Sequence, residues 1–260
     1  MRIEEIITFL FAERLIQAFQ AAVVRAVVRW WRIIVIAYVV TFVASTAAAL
    51  WMMFFYAPVE ATMGPIQKMF YVHLPFAINA FLACLAAFVG GVGFLWQRRM
   101  VWDDLSSAAA KVAALTCTVV LITGMIWGRY AWGKWWDWSP RLTFSLLLWL
   151  LYVVYLILRP SIESRQRRAA VCAVYAVAAF LDVPLVYLSS KLMPDIHPPS
   201  IALPALEMRL TLAAWFVPVT LLTAGLVVAF MRASRRARGR ADAANADAAW
   251  SLSESEPTRP

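Results

Sequence analysis

Charge is scarce in this chain of 260 residues: 15% are Asp, Glu, Lys or Arg, where soluble domains carry about 25%. Acid is scarcer than base, 15 residues against 24, which leaves a formal net charge of +9. With 63% hydrophobic residues, this composition places the chain among polytopic membrane proteins. Cysteine occurs three times, at Cys84, Cys117 and Cys172, always inside an apolar run and never as C-x-x-C. That excludes a thiol–disulfide role and leaves small packing residues. Histidine occurs twice. There is no zinc-ligand spacing, no phosphate-binding glycine loop and no aromatic-plus-basic sheet signature. The positive charge therefore calls for no nucleic acid.

What is abundant is apolar length. A helix needs roughly 20 apolar residues to cross the hydrocarbon, and six runs supply it: about 33–55, 76–96, 108–127, 142–158, 169–188 and 210–231. Lys111 falls in the third, near one end, where a long side chain can snorkel to the interface. Basic residues then set the orientation. Arg25, Arg29, Arg32, Arg98, Arg99, Arg159, Arg165, Arg167, Arg168, Arg232, Arg235, Arg236, Arg238 and Arg240 fall on one side. Lys68, Arg129, Lys134, Arg141, Lys191 and Arg209 fall on the other. The first set belongs in the cytoplasm, helped by anionic lipid there. The expected fold is an all-α integral membrane protein with six transmembrane helices and both termini cytoplasmic. Three loops, about 56–75, 128–141 and 189–209, face outward. Residues 1–32 read as a cytoplasmic amphipathic segment rather than a cleaved signal peptide, because Glu4, Glu5, Glu13 and Arg14 interrupt its apolar run. Residues 33–231 form the six-span domain, and 232–260 a basic, then disordered, cytoplasmic tail.

Tryptophan is concentrated where anchoring alone would spread it. Five of the 13 tryptophans, Trp127, Trp132, Trp135, Trp136 and Trp138, lie within twelve consecutive residues at the end of the third span and in the middle outward loop. Arg129, Lys134 and Arg141 are interleaved with them. Trp127 ends the third span as an interfacial anchor. The other four could form a shelf for something flat, apolar and anionic, such as a porphyrin with carboxylates. An Arg fork matches a carboxylate bidentately and Lys supplies a point charge, although all three cations would serve lipid headgroups as well. Asp137 could orient an indole N–H or an Arg, or stand as a solvated acid. Ser139 and Pro140 read as the N-cap and first residue of the fourth helix.

Both histidines, His73 and His197, fall in outward loops on the tryptophan side. Pro75 suits the first turn of the second span, which places His73 just before that helix. Pro194, Pro198 and Pro199 stiffen the loop around His197. A single interfacial histidine is ordinarily a solvated surface residue. Two on the face that carries the aromatic loop, with none elsewhere, could bring neutral nitrogen donors to opposite faces of a haem iron.

At this point the residues resemble a known family. The stretch Trp132-Gly133-Lys134-Trp135-Trp136-Asp137-Trp138-Ser139-Pro140-Arg141-Leu142-Thr143 is similar to the tryptophan-rich WWD signature of the haem-handling protein family. Six spans, with the signature in the middle outward loop and one histidine in each flanking loop, resemble the subgroup that serves cytochrome c maturation. The phrase Lys68-Met69-Phe70-Tyr71-Val72-His73-Leu74-Pro75 is similar to its first histidine region. The resemblance covers about residues 33–231. It implies a haem carrier rather than an enzyme, holding haem b on a platform at the periplasmic face of the bacterial inner membrane. His73 and His197 would be the axial ligands. Partners implied are a periplasmic haem chaperone (cytochrome c maturation protein E), the A and B subunits of an ABC transporter and a small single-span D subunit. One departure stands out. The signature usually carries an acid after its last Trp; here that position is Ser139, and the acid Asp137 precedes Trp138.

Two other classes fit the composition. A b-type cytochrome or quinone-linked subunit would place its ligands within helices, and the sequence puts no histidine in a span. A secondary transporter would want intramembrane polar residues. Asp182, beside Pro184, supplies one hint and reads as an internally hydrogen-bonded acid near a kink.

Overall fold

In lipid a backbone must satisfy its own N–H and C=O groups, so long apolar runs become helices. The computed structural model describes residues 3–197, 203 and 205–255, and contains seven α-helices among them. These are α1 (Ile3–Trp51), α2 (Met69–Gln97), α3 (Met100–Trp132), α4 (Pro140–Leu158), α5 (Arg165–Phe180), α6 (Asp182–Leu192) and α7 (Leu206–Ser255). Six stretches are long and apolar enough to cross a membrane, with α5 and α6 together making the fifth. The protein is a multi-pass membrane protein.

α1 runs without a break through the expected amphipathic segment and the first span, because neither Gly nor Pro interrupts residues 3–51. The amphipathic face itself lies on side chains outside the described residues. α1 packs on α7, while α2 lies against α3, α5 and α7, and α4 against α6 and α3. The α2–α3 pair is close because small residues meet there: Ala80, Ala83, Cys84 and Ala87 face a core shared with Ala109, Ala110 and Ala113. At Gly90 even a methyl group would stand 2.6 Å from the backbone nitrogen of Ser106. All three cysteines are free and buried in this packing.

Two expectations change. The segment after Met231 is helical to Ser255 rather than irregular, since its Ala and Arg residues favour helix and it has something to dock on. Asp104, at the start of α3, accepts from Arg238 and from Arg235 Nε at 3.4 Å, and Asp242 pairs with Arg165 at 2.8 Å. Asp182 does mark a break between α5 and α6, but both its carboxylate oxygens are buried without a hydrogen-bond partner among the described residues.

Candidate functional site

At the end of the bundle opposite the arginine-rich one, a cavity of 260 Å³ opens between α2, α3, α4 and the segments that follow α3 and α6. His73 and His197, 124 residues apart in the chain, both line it. So do Trp127, Trp132, Trp135, Trp136, Lys134, Asp137 and Arg141. The aromatic segment folds back here because α3 stops at Trp132: Gly133 takes φ 74°, the left-handed conformation that ends a helix at little cost for glycine. Gly128 permits the return, since a methyl there would meet the Trp132 ring at 3.3 Å and the Lys134 carbonyl at 3.4 Å.

His73 is not in a loop. α2 begins earlier than the sequence suggests, at Met69 after a 3-10 turn started by Pro65, so His73 is already inside the helix. Pro65 is the helix-initiating proline, and Pro75 is accommodated within α2. From that position the His73 ring meets Thr123 of α3, with Nδ1 at 2.8 Å from Oγ1. The Thr123 hydroxyl already donates its single proton to the carbonyl of Val119 at 2.7 Å. Oγ1 can therefore only accept from His73, which puts the imidazole proton on Nδ1 and leaves Nε2 with its lone pair. Gly124 leaves room for this ring: its missing methyl would stand 3.3 Å from His73 Cε1. Trp127 packs edge-on against His73 at 5.9 Å and is buried. It is a wall of the cavity rather than the interfacial anchor its place in the sequence suggests, because α3 extends a further turn and carries it inward.

His197 is held by an aspartate that motif reading passed over. Asp195 Oδ1 accepts the backbone N–H of His197 at 2.7 Å and the Ser139 hydroxyl at 3.1 Å. Its Oδ2 accepts the backbone N–H of Arg141 at 2.7 Å. Ser139 and Pro140 do start α4, but the first-turn N–H is capped by Asp195 and not by Ser139. Asp-x-His is an Asx-turn pattern, and this was the available signal. Arg141 Nη1 lies 3.2 Å from His197 Nδ1. A guanidinium only donates, so Nδ1 is the acceptor and a neutral His197 carries its proton on Nε2. Trp132 stands edge-on to His197 at 6.2 Å. Pro198 and Pro199, expected to stiffen this loop, lie outside the described residues.

Not every sequence candidate reaches the cavity. Trp138 is 74% exposed and does not line it, although it packs edge-on against Trp136. Arg129 is exposed and donates to the Gly133 carbonyl at 3.1 Å, closing the end of α3 instead. Lys134 and Asp137 form a 3.0 Å ion pair at the rim. Two indole nitrogens, those of Trp127 and Trp136, are buried without a hydrogen-bond partner among the described residues. Each such orphan costs about 1–3 kcal/mol. Two imidazoles, a guanidinium, an ammonium and two unpaired indole donors around aromatic walls make a coherent donor set. They fit a flat apolar ring that carries carboxylates and a nitrogen-seeking metal.

A family model described as Heme exporter protein C matches residues 16–248. The chain is 37% identical over 133 residues to Heme exporter protein C of Rhodobacter capsulatus, a stretch covering 50% of this chain and 55% of that protein. It is 36% identical over 132 residues to the protein of that name from Paracoccus denitrificans, covering 49% and 55%. It is 29% identical over 146 residues to that of Escherichia coli K12, covering 55% and 59%. The matched stretches thus span between half and two thirds of these relatives' own lengths.

Proposed function

The chain belongs to the Heme exporter protein C family, and on that premise we propose that it holds haem b at its outward face and hands it on during cytochrome c maturation. The observation that carries this reading is the meeting of His73 and His197, the chain's two histidines, on one tryptophan-walled cavity. Bound haem would supply an iron that takes two nitrogen donors and a reactive edge. His73 is prepared for the first bond, because Thr123 directs its free Nε2 lone pair away from the helix contact. His197 is engaged: Arg141 occupies its Nδ1. Were Arg141 to pair with a propionate instead, His197 would be free to serve as the second nitrogen donor. Lys134 can supply a second carboxylate contact, and the Trp127 and Trp136 N–H groups are further unpaired donors. A cavity of 260 Å³ is below the usual ligand pocket of about 300–1,000 Å³. That supports an arrangement in which one porphyrin edge stays open.

The partner at that open edge is a periplasmic haem chaperone, cytochrome c maturation protein E. The A, B and D subunits of the associated ABC transporter complete the assembly. The protein is a carrier and transfer platform in the bacterial inner membrane, with the site on the periplasmic side. Trp138, exposed beside the cavity, and Arg129 belong to the surface a chaperone would meet. The electron-carrier alternative can no longer be set aside for want of a histidine in a span, since His73 lies in α2. What favours delivery is the position of the cavity at the end of the bundle, with its second histidine outside the helices.

The test is the optical and resonance Raman spectrum of detergent-purified protein, wild type beside His73→Ala and His197→Ala. A six-coordinate bis-imidazole spectrum altered by either substitution is the expected result. An identical haem spectrum in both variants would overturn the ligand assignment.

A further inference from the structure

The arginine-rich end of the bundle holds a second cavity, of 470 Å³, between the starts of α3 and α5, the end of α4 and the extension of α7. Its charges are partly matched. Arg159 grips Asp103 with two hydrogen bonds, at 2.8 and 2.6 Å. Arg238 and Arg235 share Asp104, and Arg165 pairs with Asp242. Two lining cations remain without a carboxylate among the described residues. Arg168 donates only to the Ile162 carbonyl, at 3.4 Å. The Lys111 ammonium sits over the Phe230 ring at 5.4 Å and makes no ion pair.

Lys111 is the decisive residue. It stands about 16 Å along the axis of α3 from Met100, at 1.5 Å per residue. An unmatched ammonium near the end of a membrane span is unfavourable, and its long side chain reaches into this cavity, where it is half-buried. The cavity also receives the N-terminal turns of two long helices, α3 and α5, whose dipole ends add positive potential. Met100, Leu156 and Pro160 give it an apolar side. We propose that this cavity binds a phosphate group at the membrane surface, held by Lys111 and Arg168. The chemistry is shared by an acidic phospholipid headgroup and a soluble phosphate, and it is independent of the haem reading.

The experiment uses the full chain in lipid nanodiscs, with native mass spectrometry for retained lipid and thermal unfolding for stabilisation. One arm adds phosphatidylglycerol to phosphatidylcholine discs, and the other adds inorganic phosphate to pure phosphatidylcholine discs. Lys111→Gln and Arg168→Gln are compared with Arg240→Gln, which removes a charge at the same end outside the cavity. Each cavity variant is expected to bind about fivefold more weakly, with Arg240→Gln like wild type. Retention of phosphatidylglycerol with that pattern assigns the site to a lipid headgroup. Stabilisation by phosphate alone, with the same pattern, assigns it to a soluble phosphate. If neither arm affects the wild type, or if Arg240→Gln loses as much as the cavity variants, the proposal fails.

Discussion

Replacing Thr123 by valine preserves the shape of the side chain and removes the hydroxyl that accepts from His73 Nδ1 at 2.8 Å. Valine cannot accept, so the Nδ1–H is left without its partner in a part-buried place. The loss of that bond costs about 1–3 kcal/mol if nothing replaces it. The imidazole answers by rotating or by moving its proton to Nε2, and either change removes the lone pair from the cavity. Loss of an orienting partner behind a metal-bound histidine typically weakens binding about 10–100-fold. Thr123→Ser keeps an acceptor and should restore most of that loss. The assay is haem titration of the purified chain, with the Raman signature of the iron–imidazole bond and thermal unfolding measured alongside. Folded Thr123→Val protein that binds haem as tightly as wild type, with an unchanged spectrum, would refute the claim that Thr123 sets the His73 tautomer.

Gly124→Ala should leave the fold as stable or more so, since alanine gains about 0.5–1 kcal/mol over glycine within a helix. Its methyl, 3.3 Å from His73 Cε1, should nevertheless displace the ring and alter the haem spectrum; an unaltered spectrum would show the ring has room to spare. Asp195→Asn retains one acceptor oxygen for three donors, so the cap on the Arg141 N–H or the hold on His197 is lost. Unfolding measurements should show a loss of about 1 kcal/mol, as for a removed helix cap, with weaker haem retention. Asp182→Asn should raise thermal stability. A neutral amide is cheaper to bury than an unpartnered carboxylate, and that gain is set against about 0.3–1 kcal/mol lost at the start of α6. A clear drop in melting temperature would mean Asp182 has a partner in the membrane.

The six spans were legible because apolar length is a property of each run alone. The cavity was partly legible: both histidines, three of the four shelf tryptophans, Lys134, Asp137 and Arg141 reach it. The placements of His73 and Trp127 differ for one reason, which is that proline and tryptophan carry two meanings each. Pro75 read as a helix start, but Gly64 and Pro65 had already begun the turn, and His73 moved into α2 as a result. Trp127 read as an anchor because only the length of α3 reveals that it is turned inward. Thr123 and Asp195 act through hydrogen bonds spanning 50 and more than 50 residues of chain, which no local pattern encodes. The tail read as disordered from its composition, although composition says nothing of Asp104 waiting to receive Arg238.

The Asp195 carboxylate, bonded to the Ser139 hydroxyl at 3.1 Å, bears on how this chain and its relatives can vary. An acid at position 139 would face that carboxylate at hydrogen-bonding range, and two ionised groups so close repel. The negative charge that caps α4 can come from either loop but not from both. Positions 139 and 195 are therefore expected to vary as a pair, an acid at one accompanying a neutral residue at the other. Ser139→Asp alone should loosen the His197 loop, and Ser139→Asp with Asp195→Ser should close it again.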